Sequence, residues 1–314
     1  MEEKEFIDLL KDALLEAIKE RRLNMSVGCD IVGTDSELSL LLEDEKIAIP
    51  VDVADIYAEY MFGMDIKEGV QEFLSMVEME FIEQIDMHQF LLRDNISANV
   101  LPMVLKSDWN QPLLSTYAHR PVNGTDLSVI YCCDFTFNGG LNVVVRISND
   151  LLDSLHMKED ALYQLAMKNM EQVSWKIQSL GRFIDDIVES NTFTLVPPSD
   201  ENKETGSPEK GPSLSIITNR ANRKGAACLL SSKILGRAWE LLGCDFYIIP
   251  SSIHEILILD PADCDAEKLR DLITEVNSTK VAPCMILSDR VYGYTKEKGL
   301  YMVPHSSGCM KEVS

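Results

Sequence analysis

Residues 197 to 212 read PPSDENKETGSPEKGP, sixteen positions without one side chain that a core would hold. Such a stretch buries too little apolar surface to offset the entropy of ordering it, so it interrupts whatever fold the chain makes. The expectation is a flexible linker or insertion over 197–213. By pattern the rest divides into an acidic helix-and-strand region at 1–96, a hairpin-plus-helices region at 97–196, an α+β region at 214–304 and a tail at 305–314. The pattern leaves open whether these parts are separate domains or one continuous fold.

The chain carries 51 Asp and Glu against 29 Lys and Arg, a net charge of −22, over 314 residues. The imbalance sits at the front. Residues 1–96 hold 24 acidic and 8 basic side chains, whereas 214–304 hold 11 of each. So acidic a surface repels phosphate backbones and anionic lipid, which excludes general nucleic-acid binding and membrane association through a broad basic face. The same charge would attract a basic protein partner; a solvated, solubility-giving surface is the plainer reading.

Eight cysteines are scattered without a C-x-x-C pair or a histidine at metal-ligand spacing, so no zinc site is implied. The N-terminus, MEEKEFIDLL, is acidic and amphipathic rather than a secretory signal. No apolar run reaches the roughly 18 residues that span a bilayer. Reduced, mostly buried thiols in a cytoplasmic protein are expected.

Phe6, Leu9, Leu10, Ala13, Leu14, Ala17 and Ile18 recur at helical spacing and predict a helix over 3–22. Two short strands are expected at 38–42 and 47–51. Asp65 with Glu68 makes a capping pair for a long helix through Val70, Phe73, Leu74, Val77 and Phe81, ending near Leu92. The runs 127–132 and 141–147 flank Asn138, Gly139 and Gly140 and predict a hairpin; Asn149 or Asp150 then caps a short helix, and 159–172 forms a longer one. Beyond the polar stretch come a strand at 214–218, a helix at 226–242 stopped by Gly243, strands at 246–249 and 255–259, and a helix at 266–276 capped by Asp265. Helices and antiparallel strand pairs are mixed rather than alternating, which predicts an α+β fold.

The chemistry-bearing residues form no complete catalytic set. The five histidines make no metalloprotease pattern, and no glycine-rich phosphate loop is present. Ser251, Ser252, His254 and Glu255 lie together but in a turn, where serines ordinarily serve the backbone. Acidic pairs such as Asp52 with Asp55 and Asp185 with Asp186 are common surface features. Met76, Met79, Met87 and Met103 suggest an adaptable contact surface.

One constellation has physical content. Asn219, Arg220, Arg223, Lys224 and Gly225 lie between a predicted strand and a predicted helix start, where three cations, free N–H groups and a close-approaching glycine suit a phosphate or carboxylate. The competing reading is a turn whose cations balance acidic neighbours. The leading expectation is a non-catalytic cytoplasmic binding or interaction protein, without cofactor or metal; a separate reading has the acidic N-terminal region meeting a basic protein partner. The alternative is an enzyme or sensor for a phosphorylated or carboxylated small molecule, clamped by the basic loop with His254 or Glu255 as acid or base.

The ordered segments PMVLKSDWN, LSVIYCCDF, LNVVVRIS and NDLLDSLHMKEDALYQLAMKNM resemble bacterial proteins of the YtpQ-like kind. The stretch NRANRKGAACLLSSKILGRAWELLGCDFYIIPSSIHEILIL, followed by LRDLITEVNSTKVAPCMILSDRVYGY, is similar to a related domain-of-unknown-function family of anaerobic gut Firmicutes. The resemblance covers about residues 3 to 304. It implies a cytoplasmic bacterial α+β protein and transfers no catalytic residue, cofactor or activity.

Overall fold

The computed structural model describes residues 3–29, 38–42, 47–79, 87–136, 142–182, 214–279 and 285–304. The chain has the α+β architecture expected of its mixed pattern, and it divides into two compact units. One comprises Met1–Val122, Asp126–Val173 and Ala282–Met285; the other comprises Asn123–Thr125, Ser174–Val281 and Ile286–Ser314.

The first unit is built on a seven-stranded antiparallel sheet. Its strands are β1 (Ser26–Cys29), β2 (Leu38–Leu42), β3 (Ile47–Pro50), β4 (Val100–Lys106), β5 (His119–Pro121), β6 (Leu127–Thr136) and β7 (Asn142–Arg146). They run in the order β1-β2-β3-β7-β6-β4, with β5 also on β6. β6 organises the sheet: β4 follows it from Lys106 opposite Leu127 to Val100 opposite Cys133. On the other side β6 meets β5 with its first half and β7 with its second. Val143 to Arg146 are all buried, so β7 is covered on both faces.

Six of the unit's helices are α1 (Glu3–Arg21), α2 (Val53–Met61), α3 (Ile66–Val77), α4 (Arg93–Asn99), α5 (Gln111–Thr116) and α6 (Asn149–Ser154). A further helix, α7 (Glu159–Met170), packs on β4 and against α4. In α1 the buried face is Phe6, Leu10, Leu14, Ala17 and Ile18, and Phe6 meets Tyr57 edge-on at 4.9 Å between ring centres. Leu9, assigned by periodicity to that face, is 44% exposed.

Two helix boundaries in this unit differ from the sequence expectation. Helix α3 is capped as predicted, Asp65 Oδ1 accepting from Lys67 N, but α-helix is not continuous to Leu92, because Met87–Leu91 is a 3-10 turn. The helix at 149 is capped by Ser148, whose Oγ accepts from Leu151 N at 3.1 Å, rather than by Asn149 or Asp150. Helix α2 and strand β4 have no counterpart in the expectation.

The second unit holds a six-stranded antiparallel sheet in the order β13-β12-β10-β11-β9-β8. Its strands are β8 (Trp175–Ser179), β9 (Ser215–Asn219), β10 (Phe246–Ile249), β11 (Ile256–Leu259), β12 (Tyr292–Thr295) and β13 (Gly299–Met302). Its described helices include α8 (Ser232–Leu242) and α9 (Ala266–Thr279). On one sheet face Phe246 stacks on Tyr294; on the other, Leu259 and Val291 pack with Leu269 and Ile273 of α9. The polar stretch 197–212 lies outside the described residues, but β8 before it and β9 after it are paired, Ser179 opposite Ser215.

Candidate functional site

The basic loop begins where β9 ends. The Asn219 side chain holds it at both ends, Nδ2 donating to the Arg223 carbonyl and Oδ1 accepting from Arg223 N at 3.2 Å. Within this turn Asn222, and just after it Lys224, take left-handed backbone angles, φ 54 at each, a conformation unfavourable for side chains larger than Asn or Gly. Gly225 follows because nothing larger fits: a Cβ there would lie 2.3 Å from the His254 carbonyl and 2.5 Å from Thr218 Oγ1.

This packing brings the basic loop onto His254, which the sequence had only in a separate turn. Lys224 N donates to His254 Nδ1 at 3.2 Å, and Thr218 Oγ1 donates to the His254 carbonyl at 2.9 Å. Burial, then the charges of Lys224 and Arg223, push the His254 imidazole down to about 4. Burial also lowers the Arg223 guanidinium from its usual range. Lys224 is only 4% exposed, whereas Arg220 faces solvent and gives its backbone N–H to the Ser174 carbonyl.

Two parts of the sequence reasoning are corrected. The loop does not precede an α-helix: Gly225–Leu230 is a 3-10 turn with buried side chains, and α8 starts afresh at Ser232, where Ser231 Oγ accepts from Ile234 N. A short 3-10 turn supplies little of the aligned dipole that the loop was expected to exploit. The pair Ser251 and Ser252 donates from both hydroxyls to Glu255 Oε1 at 2.9 Å, and Ser252 Oγ accepts from His254 N. These serines direct their protons to a carboxylate rather than an imidazole, so they stabilise the turn.

In the first unit, helices α1 to α3 carry the acidity. Asp52, Asp55, Glu59, Asp65, Glu68 and Glu72 are all exposed. Two of them are accounted for as caps: Asp52 Oδ1 accepts from Asp55 N at 3.0 Å, which explains that acidic pair without a metal, and Asp65 serves α3. Two basic residues among these helices are engaged, Lys67 Nζ with Glu16 Oε2 at 2.8 Å and Arg21 with Gln71, Ser75 and Glu78. Above this surface stand Met61 and Phe62, 62% and 94% exposed. The methionines do not form one surface, for Met79 is 62% exposed and Met103 is fully buried. Asp185 and Asp186 lie outside the described residues.

One further cluster has no counterpart in the sequence pattern. Arg120 on β5 forks onto Glu159 at the start of α7, donates to Asp160 Oδ1 at 2.7 Å and lies 3.9 Å over the Tyr163 ring. Tyr131 OH, buried on β6, donates to the same Glu159, and burial raises its ionisation well above the usual phenol range. The residues are too far apart in the chain for local pattern to join them. The cluster fixes α7 to the sheet.

Among the described residues no group of histidine, cysteine, aspartate and glutamate could hold a metal ion, and no helix is long and apolar enough to cross a membrane. No curated protein and no solved structure matches the chain. A family model described as a family of unknown function, DUF5688, matches residues 4–296, and the chain belongs to that family.

Proposed function

We propose that this is a non-catalytic binding protein of the bacterial cytoplasm whose acidic N-terminal helices hold a basic region of another protein. One observation carries the reading: six carboxylates on α2, α3 and their caps are exposed, while Lys67 of α3 and Arg21 of α1 are already bonded to carboxylates or amides. A surface so biased steers a cationic partner and rejects anionic ones. The residues suggested for acid–base chemistry do not compete with this reading. His254 is neutral at physiological pH with Nδ1 occupied, and Glu255 is held by two serines.

The test is affinity capture from a native extract with wild type and with a variant carrying Asp55→Asn, Glu59→Gln, Glu68→Gln and Glu72→Gln, which leaves both helix caps intact. A lysine- and arginine-rich protein retained by wild type and lost by the variant supports the reading. The same partners captured by both would sink it.

A second reading rests on the convergence of Arg223 and Lys224 at His254. Buried cations bind an anion more strongly than solvated ones. In this reading Arg220, Arg223 and Lys224 take a phosphate or carboxylate group while Asn219 and Gly225 fix the loop. Thermal shifts with nucleotides, sugar phosphates and dicarboxylates test it: the shift should vanish when Arg220, Arg223 and Lys224 are all changed to Ala.

A further inference from the structure

We propose that Phe62, supported by Met61, is the apolar anchor of the acidic face, and that its occupant is a basic amphipathic segment of a partner protein, with Lys or Arg beside large apolar side chains. The inference rests on the interaction reading above and deepens it by naming the contact.

Phe62 is the C-cap of α2, and its exposure of 94% is imposed by a well-made helix end. Gly63, at φ 103, lets its N–H reach the Tyr60 carbonyl at 2.9 Å while Met64 N reaches the Glu59 carbonyl at 3.1 Å. This paired closure is the Schellman arrangement, which satisfies the last carbonyls of the helix and fixes the residue before the glycine. Phe62 N itself bonds to the Ala58 carbonyl at 3.2 Å. The phenyl ring is therefore presented on a hydrogen-bonded turn rather than a frayed end, so little ordering entropy is lost when it docks.

The surroundings select the occupant. Asp55, Glu59 and Phe62 follow one side of α2 at i, i+4 and i+7, and Asp65 lies three residues beyond the ring. Residues 52–78 hold seven carboxylates and one lysine, a net charge of −6. A second copy of this face, or an anionic lipid surface, would bring like charge onto that patch. A cationic segment with its own apolar side chains complements both features: its cations meet the rim, and its apolar face covers an aromatic residue of the kind that dominates binding energy at interface centres.

Two 18-residue peptides serve as probes, one of Lys and Leu at amphipathic helical spacing and one with every Leu replaced by Ser. Fluorescence anisotropy with the full chain should show the Lys–Leu peptide binding about 30-fold more tightly than the Lys–Ser peptide. Phe62→Ser should reduce that preference to under about 3-fold while leaving Lys–Ser binding unchanged. Leu272→Ser, at a 54% exposed leucine of the other unit, should keep the full preference. Circular dichroism confirms that each variant is folded. A preference surviving Phe62→Ser, or lost equally in Leu272→Ser, overturns the anchor and leaves the acidic-face reading standing. A dimer in sedimentation that Phe62→Ser disperses assigns the ring to a second copy and overturns the basic partner. Failure of wild type to bind either peptide overturns the acidic-face reading and the anchor together.

Discussion

The backbone N–H of Lys224 donates to Nδ1 of His254 at 3.2 Å, so the imidazole is an acceptor on that side and carries its proton on Nε2. Protonating Nδ1 would break this bond beside two buried cations. A histidine depressed from 6.5 to about 4 binds fewer protons folded than unfolded between those values. Folding stability therefore rises with pH across that interval and falls on acidification through it. The loss at His254 should be about 2 kcal/mol between pH 7 and pH 4.5. Urea unfolding of wild type and His254→Asn, which retains an acceptor for Lys224, isolates it from the titrating carboxylates. The variant should lose about 2 kcal/mol less over the interval; equal slopes would contradict the neutral, buried imidazole.

Gly225 has no room for a methyl group, with the His254 carbonyl and the Thr218 backbone both inside contact distance of a built Cβ. Gly225→Ala should cost at least about 2 kcal/mol in chemical unfolding, since backbone rather than a flexible side chain must move. Gly124→Ala is the comparison: at φ 76 with open space around it, it costs about 1 kcal/mol through backbone conformation alone.

Much of this was legible in the sequence. Strands β2, β3, β9, β10 and β11 and helices α1, α7 and α9 fall within a few residues of where periodicity put them, because each has a continuous apolar face and a polar boundary. The apolar run at 127–132 marked only the first part of β6, which continues to Thr136. Helix α2 escaped because it is only nine residues long and much of its inward side is Tyr57 and Tyr60, polar-tipped rings half-buried against Phe6. Strand β4 escaped because it follows directly on α4, whose last residue is Asn99, and is buried on both faces, which erases period-two alternation. Of the candidate loop, the sequence supplied the residues, the turn and His254 as a candidate acid or base, but not the contact between loop and imidazole. That residue arrives through the pairing of β9 with β11, Ile217 opposite Ile256, a register no local pattern encodes.

The Glu159 carboxylate serves both Arg120 and Tyr131. Glu159→Ala leaves a guanidinium and a buried phenol without their shared acceptor, and should cost about 3 kcal/mol. Asp160→Ala, removing a side chain 91% exposed in its bridge to the same arginine, should cost under about 1 kcal/mol. Thermal unfolding of the two variants distinguishes them; similar losses would show that Arg120 does not depend on Glu159.

At the α2–α3 turn, conformation and exposure separate cleanly. Gly63→Ala should destabilise by about 1 kcal/mol because φ 103 disfavours a Cβ even in open space. Phe62→Ser should change stability by under about 0.5 kcal/mol, since the ring is almost wholly exposed. Calorimetry of both variants checks this; a large loss in Phe62→Ser would mean that the ring supports the fold.

The most direct test of the acidic-face account is the salt dependence of the dissociation constant for the captured partner, measured from 50 to 500 mM NaCl. Long-range attraction between opposite charges is screened within about 10 Å at 0.1 M salt and about 3 Å at 1 M. The account predicts that binding by wild type weakens at least about tenfold over this range, and that the variant neutralised at Asp55, Glu59, Glu68 and Glu72 binds weakly with a much flatter salt response. Binding that holds its strength across the range, in wild type and variant alike, would contradict it.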